Sequence, residues 1–405
     1  TKCFRKASSY FHSYFHRKKR PHARASLVPT GLLRPAPRFS MVWTPPFAKT
    51  TFREEYRHLK QIDIKEESME RDIVVSIDLA KEFVHVYAAD VRGQRLFDRR
   101  VRTNKLFDTV VRMRPSQVVM EACGSAHYWG RRFSETGALV KLIPPQFVRP
   151  FRMGEKNDAN DAMAIFEASK RPKLHPVAIK TEAHQVVQLW IRKRESLIES
   201  RTELINSTRA YLLELGSGIP KGVASFLRKT REILATNSLN PQVLEVLERD
   251  LKRLKELQEE VNFYEGKIKQ FNKKDPLSRK LQTVEGVGPI TAAALRAMVV
   301  NPQDFKNGRR FAAYLGLVPR QHSSGGKTRL FGIAKDGNRY LRQLLIHGGR
   351  SFLWSCVSKE DPKSQWANRK RIERGFNKAC VAVANKNART LWALMAQHQE
   401  RGLVA

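Results

Sequence analysis

The segment Arg320-Gln321-His322-Ser323-Ser324-Gly325-Gly326-Lys327-Thr328-Arg329 places two adjacent hydroxyls before two glycines, with cations on both sides. Gly-Gly lets a backbone come close to a bulky anion, because no Cβ intervenes. Lys327 and Arg329, with Lys335 and Arg339 a few residues on, supply the counter-charge a phosphodiester needs. Taken alone, the segment has two readings. A hydroxyl attacks phosphorus, or Ser323, Gly325, Gly326 and the cations form a polar loop that only holds a phosphate.

A second group of chemically capable residues lies far upstream. Ile73-Val74-Val75-Ser76-Ile77-Asp78 and Gln117-Val118-Val119-Met120-Glu121 are short apolar runs that each end in a carboxylate. Sites in open α/β sheets gather at the carboxyl ends of strands. Lys156-Asn157-Asp158-Ala159-Asn160-Asp161 then opens a helix, and Asp158 and Asp161, three apart, share one face of its first turn. Four carboxylates converging in this way repel one another without a cation. An all-oxygen set without Cys or His selects Mg2+ or Mn2+. The plainer alternatives are an N-cap for Asp158 and solvated strand ends for Asp78 and Glu121.

The elements around these residues follow from periodicity. Phe83–Ala88 and Arg95–Thr103 read as further strands, Leu139–Ile143 as another, and Leu106–Met113 and Ala126–Thr136 as helices. The alternation predicts an α/β domain with a mostly parallel sheet. Ala183–Leu215 is a long helix in which Trp190, Leu197, Leu204 and Tyr211 recur at seven, with Ile191, Ile198, Ile205 and Leu212 beside them. A second stripe runs from Leu244 to Phe271, so the pair forms an antiparallel helical hairpin or a coiled coil. Val284-Glu285-Gly286-Val287-Gly288-Pro289 resembles a helix-hairpin-helix element, whose Gly286 and Gly288 amides would cradle a phosphate; the alternative is an ordinary helix–helix turn. Asn338–Trp354 is an amphipathic helix with Leu341, Leu344, Leu345 and Phe352 inside and Arg339, Arg342 and Arg350 exposed. The fold class is therefore α/β plus all-α.

Composition narrows the partners. Lys+Arg 75 against Asp+Glu 39 gives a net charge of +36, spread along the chain, which marks a polyanion-binding surface. No apolar run approaches the roughly 20 residues that span a bilayer, so nucleic acid is favoured over membrane. Cys3, Cys123, Cys356 and Cys380 are far apart, which points to a reducing, cytoplasmic compartment and no zinc site. Up to Thr51 there is no acidic residue. Residues 1–68 read as a basic extension, either a transit-like segment or one translated upstream of a start at Met69.

Five blocks in order resemble the transposases of bacterial insertion sequences related to the Piv DNA invertase. They are Ser-Ile-Asp78-Leu-Ala-Lys, Met-Glu121-Ala-Cys-Gly-Ser, Lys-Asn-Asp158-Ala-Asn-Asp161-Ala, Val-Glu-Gly286-Val-Gly288-Pro and Pro-Arg-Gln-His-Ser-Ser324-Gly-Gly-Lys. The resemblance covers about Asp72 to near the carboxyl end; the leading segment departs from it. It implies an RNase H-like, RuvC-like domain over 69–178 with Asp78, Glu121, Asp158 and Asp161 as a metal-binding quartet. A helical, coiled-coil region over 179–275 and a serine transposase domain over 276–405 follow, with Ser324 as nucleophile rather than Ser323. It also implies a structured bridge RNA that pairs with donor and target DNA, as in other RNA-guided systems. Composition alone does not distinguish RNA from DNA.

The expected activity is thus metal-dependent DNA cleavage and strand transfer through a phosphoserine link, in a bacterial, nucleoid-associated enzyme. Because the quartet and Ser324 lie in different domains, they meet across a fold-back or between the subunits of a dimer or tetramer. His322 is the only obvious base beside Ser324, and activation by metal or a quartet carboxylate is the favoured alternative. The rivals are a RuvC-like, metal-dependent junction nuclease that uses water, and a non-catalytic nucleic-acid-binding protein.

Overall fold

The computed structural model describes residues 72–153, 157–172 and 174–403. The expected extension over 1–68, Met69 and Lys156 lie outside the described residues. The first described part is built on strands β1 (Ile73–Asp78), β2 (Phe83–Asp90) and β3 (Arg95–Arg102), followed by helix α1 (Leu106–Arg112), β4 (Gln117–Glu121), α2 (Ala126–Ser134), β5 (Leu139–Ile143), the short α3 (Pro145–Val148) and α4 (Asp158–Ser169). The strands form one sheet in the order β3-β2-β1-β4-β5.

This sheet is mixed, not mostly parallel. β1, β2 and β3 form an antiparallel meander, and β1, β4 and β5 run parallel. The reason is connection length. Leu79–Glu82 and Val91–Gln94 are too short for a crossover, which needs a dozen or more residues, so they turn the chain straight back. Only the links through α1 and α2 are long enough to return a strand in parallel.

Side-chain alternation divides the sheet into two faces. Val75, Ile77, Val84, Val86, Val118, Met120 and Leu142 point to one face, where they meet Leu106, Val110, Trp129 and Phe133 of α1 and α2. Val74, Val119 and Ile143 point to the other, which α4 covers with Ala164, Ile165 and Ala168. Tyr87 and Ala89 extend that face against Ala162 and Phe166. The hydroxyl of Ser76 donates to the Ala162 carbonyl at 2.8 Å, tying α4 to β1.

The remainder is helical apart from one hairpin. Its elements are α5 (Glu182–Glu214), α6 (Val223–Thr236), α7 (Pro241–Lys274), α8 (Pro276–Leu281), α9 (Pro289–Met298), α10 (Gly308–Tyr314), strands β6 (Pro319–Ser324) and β7 (Lys327–Ile333), then α11 (Arg339–Ser355), α12 (Pro362–Arg374) and α13 (Phe376–Leu403). Helices α5 and α7 lie antiparallel. Arg194 pairs with Glu265, Arg201 donates to Gln258 and Thr208 to Asp250, so each step of seven along one helix is matched by a step of seven or eight back along the other. Ile205 and Leu212 of the expected stripe are buried there, capped by Phe226 and Ile233 of α6. Tyr211, counted in the neighbouring stripe, is 72% exposed.

The other end of this helical pair sinks into the carboxyl-terminal core. Val187, Ile191 and Ile268 pack with Leu281, Ala293, Leu295, Phe311, Leu341 and Leu391. Among the described residues, no helix is long and apolar enough to cross a membrane.

Candidate nucleic-acid cleavage site

Asp78 and Glu121 are the last residues of two adjacent parallel strands, with Ile77 in register with Met120 one step earlier. Alternation turns both toward α4. On that helix, Asn157 is the N-cap, its side chain accepting from the Asn160 amide at 2.7 Å. The capping role weighed for Asp158 thus belongs to its neighbour. Asp158 and Asp161 occupy the first turn, and Asp161 is buried.

The other three carboxylates act on Asp78. Burial, followed by the charges of Asp161, Asp158 and Glu121, pushes the Asp78 carboxyl up to about 6, with His85 acting in the opposite direction. Among the described residues, no three Asp, Glu, His or Cys side chains stand close enough to form a coordination shell. Asp161 is instead ion-paired with Arg152, which follows the short turn after α3. The donor set is one that a hard divalent cation takes, all oxygen and mutually repelling, with an arginine supplying positive charge at its edge.

One residue of this neighbourhood was not singled out from sequence. His85 stands directly across from Asp78 in the β1–β2 register, and its Nε2 lies 2.6 Å from Asp98 Oδ1 on β3. The segment Phe83–Ala88 reads simply as a strand, and only the register brings its histidine to the acids.

The second group occupies a β-hairpin where sequence suggested a loop. Ser324 and Lys327 are paired across a two-residue turn of Gly325 and Gly326, whose φ angles are +54° and +72°. Two successive left-handed residues make the primed turn that matches strand twist, and glycine adopts it without strain. Ser324 pairs with Lys327 and His322 with Arg329, so these four share one face. Ser323, Thr328, Gln321 and Leu330 share the other, where the Gln321 amide donates to Ser323 Oγ at 2.8 Å. Register thereby separates the two serines. Every residue from Pro319 to Gly332 except the turn's own geometry-setting glycines lies on an exposed strand, and the turn is exposed as well.

The hairpin is held at its root. Ala334 N donates to the Val318 carbonyl at 2.8 Å, and a Cβ on Gly316 would stand 2.5 Å from the Asp336 carbonyl oxygen. Arg342, expected on the exposed side of α11, is buried. Its Nη1 donates to the carbonyls of Leu315 at 3.0 Å and Asp336 at 2.7 Å, one on either side of the hairpin. Two carbonyls converging inside the fold needed a donor, and the helix's fourth residue reaches them. Arg339 and Arg350 are exposed as expected; Lys335 is exposed at the root with φ +62°.

The element Val284–Pro289 is a turn between α8 and α9. Gly286 faces α11, where an added Cβ would lie 2.6 Å from the Gly348 carbonyl oxygen, and Asn387 donates to the Glu285 carbonyl at 2.9 Å. Gly286 thus serves a backbone-to-backbone packing contact, while Gly288 is exposed at the start of α9. The structure places the four acids near enough for three of them to act on Asp78, without closing them into a coordination shell, and separately brings the hairpin cations to Ser324. β6 and β7 pack extensively on each other and, among the described residues, make no extensive contact with any strand of the five-stranded sheet.

Comparison with known proteins bears on both halves. A transposase model of the DEDD type found in IS110 elements matches residues 75–216, which include all four carboxylates. A model described as Transposase IS116/IS110/IS902 family matches 278–365, which include the glycine turn and the hairpin. The chain is 41% identical to a probable family 20 transposase of Pseudomonas aeruginosa, over 80% of this chain and 96% of that protein. It is 38% identical to the transposase for insertion sequence element IS1111A of Coxiella burnetii, over 86% and 93%, and 34% identical to that for IS1328 of Yersinia enterocolitica, over 80% and 97%. Both matched models define the class as transposase. The chain belongs to the IS110/IS116/IS902 family, so it is a DNA-transposing enzyme whose DEDD domain implies dependence on a divalent metal.

Proposed function

We propose that this transposase cuts and rejoins DNA through a covalent phosphoserine link, with Ser324 as the nucleophile and Asp78, Glu121, Asp158 and Asp161 as the ligands of Mg2+ or Mn2+. The observation that carries the reading is the hairpin face, on which Ser324, His322, Lys327 and Arg329 lie together in solvent at a Gly-Gly turn. The strand order of the sheet, an antiparallel meander continued by parallel strands, supports an RNase H-like domain.

Lys327 and Arg329 flank the hydroxyl and bind the non-bridging oxygens of a phosphodiester. Asp78 and Glu121 on the strand ends and the two aspartates of α4 would hold the cation, which when bound stabilises charge on the attacking and leaving oxygens. Ser324 Oγ forms a bond to phosphorus, one P–O ester bond breaks, and the released strand leaves with a hydroxyl. The serine proton passes to a carboxylate of the acidic set, or to His322 on the same hairpin face. Rejoining reverses these steps with another strand's hydroxyl, so no nucleotide cofactor is consumed.

Because the hairpin makes no extensive contact with the sheet among the described residues, the reading requires the acids and the serine to meet across a fold-back or, as we favour, between the subunits of a dimer or tetramer. The basic surface and the family resemblance support a structured guide RNA as partner. Sequencing of nucleic acid that co-purifies with the protein tests this: a discrete RNA encoded beside the gene is expected, and random cellular RNA would refute it.

The chemistry is tested by trapping protein on cleaved DNA. Ser324→Ala abolishes the adduct, whereas Ser323→Ala, on the opposite hairpin face, retains it. The separation of the hairpin from the sheet also favours a second reading, hydrolysis by water at the acids alone. Under that reading Ser324→Ala continues to cut DNA and no adduct forms with either protein.

A further inference from the structure

Directly beneath the hairpin lies a groove of about 460 Å3 that the proposed chemistry does not use. Its floor is apolar, formed by Leu317 just before β6, Ile333 at the end of β7 and Val381 on α13. One wall is Trp366 of α12, with Lys386 Nζ 4.4 Å from the ring centroid. The rim carries Lys378 and Arg389, both exposed. Lys378, Val381, Asn385 and Arg389 recur at three and four, so a single face of α13 lines the groove.

Two chemistries thus meet in one groove, an apolar floor with an aromatic wall and a rim of cations. Among the described residues, no carboxylate stands within ion-pair distance of Lys378, Lys386 or Arg389, although elsewhere Lys359 and Lys363 share Glu285. Unneutralised cations of this density call for an anion. A phosphate alone leaves the floor unexplained, and an apolar peptide leaves the cations unexplained. A nucleotide has both a flat apolar base and a phosphate. In a duplex the base faces are already stacked, so the groove suits an unpaired strand.

We propose that this groove binds one unpaired nucleotide of a single nucleic-acid strand, its base on the Leu317, Ile333 and Val381 floor and its phosphate on Lys378 and Arg389. The position gives it a purpose. From Pro319 to Ser324 a strand extends roughly 17 Å. A base anchored at the root is therefore at most about five nucleotides from a phosphate at the tip, at about 3.4 Å per nucleotide. The groove would hold a strand beside the cut site once its pairing has opened. This rests on the chain acting on nucleic acid, which its family membership gives, and not on the serine chemistry.

The test is binding by the full-length protein of a 20-mer single-stranded DNA, the same sequence as RNA, a 20-mer duplex, and a single strand carrying one abasic position. Lys378→Ala/Arg389→Ala, a change of two exposed side chains, is expected to weaken single-strand binding about tenfold and duplex binding less than twofold. The slope of log affinity against log salt should fall by about 0.7, the value for one lost single-strand phosphate contact. Ala382→Met, which narrows the groove without altering charge, should weaken the intact single strand and leave the abasic strand unchanged. DNA and RNA strands compared in competition identify which is the occupant, and either one binding in this way supports the site. Equal loss of single-strand and duplex binding would reduce the groove to a general basic surface and overturn the proposal, as would no loss at all. Because the readout is binding, that failure would leave the phosphoserine reading standing.

Discussion

Arg152 is ion-paired with Asp161 where α4 begins, so an arginine neutralises one of the acids expected to bind metal. Its side chain is 28% exposed and that of Asp161 10%, and a cation entering the acidic set competes with it. A half-buried ion pair of this kind is worth about 1 kcal/mol. Arg152→Ala should therefore tighten Mn2+ binding about fivefold, measured by isothermal titration on protein without DNA. Unchanged or weaker affinity would show that Arg152 does not compete for the site.

The same acids set a pH dependence. The Asp78 carboxyl is raised to about 6 in the folded protein from an ordinary 3.8, so the folded state binds that proton more tightly than the unfolded state. The contribution of Asp78 is most favourable below the ordinary carboxylate range, falls as pH rises to about 6, and remains a fixed penalty above it. Asp78→Asn is accordingly expected to raise Tm at pH 8 in chelator and to change it little at pH 4. Adding Mg2+ at pH 8 should raise the Tm of the wild type and leave the variant nearly unmoved. A variant less stable than the wild type at pH 8 would contradict the repulsion.

Arg342 fastens both ends of the hairpin through two carbonyl hydrogen bonds inside the fold. Hydrogen bonds from a charged donor contribute about 1.5–3 kcal/mol each, and loss of the donor leaves the buried carbonyls unsatisfied. Arg342→Met should cost roughly 3 kcal/mol in urea unfolding. It should also speed hydrogen exchange at Ala334, whose amide bonds to Val318 at the hairpin root. Arg342→Lys keeps the charge without the planar fork and should recover only part of the loss. Wild-type exchange in Arg342→Met would show that the hairpin stands without this fastening.

What was legible in the sequence was what local pattern determines. Local runs gave all five strands of the sheet, and the places of Asp78, Glu121, Asp158 and Asp161 at strand ends and in a first helical turn were legible because those are local features. Pairing was not local. Strand direction depended on the length of Leu79–Glu82, and the proximity of His85 to Asp78 depended on register. Ser323 and Ser324 look equivalent as neighbours in a row, and only a hairpin with a two-residue turn puts them on opposite faces. Arg342 was misplaced because helical periodicity assigns a charged residue to solvent. It cannot know that two carbonyls on distant segments need a donor. Gly286 is read for its amides, and nothing local shows that its missing side chain also admits the Gly348 backbone.

The antiparallel pairing of α5 and α7 is testable by charge exchange. Arg194 lies 2.7 Å from Glu265, both partly buried. Arg194→Glu and Glu265→Arg should each destabilise the protein, and the two together should regain about 1 kcal/mol, the coupling expected for one such pair. Additive losses in the double variant would dissolve the register.

That register also constrains how the two arms can change length. Cross-links recur every seven residues on α5 and are met in reverse order on α7, so an insertion of seven in one arm needs a matching seven in the other. Paired insertions or deletions of this kind would move α6 nearer to or farther from the globular base while every surviving contact kept its mate. A gain of two in one arm alone rotates the helix by about 200° and would turn Ile205 and Leu212 outward. The span between α6 and the rest of the molecule is therefore free to vary only in whole steps of about 10 Å.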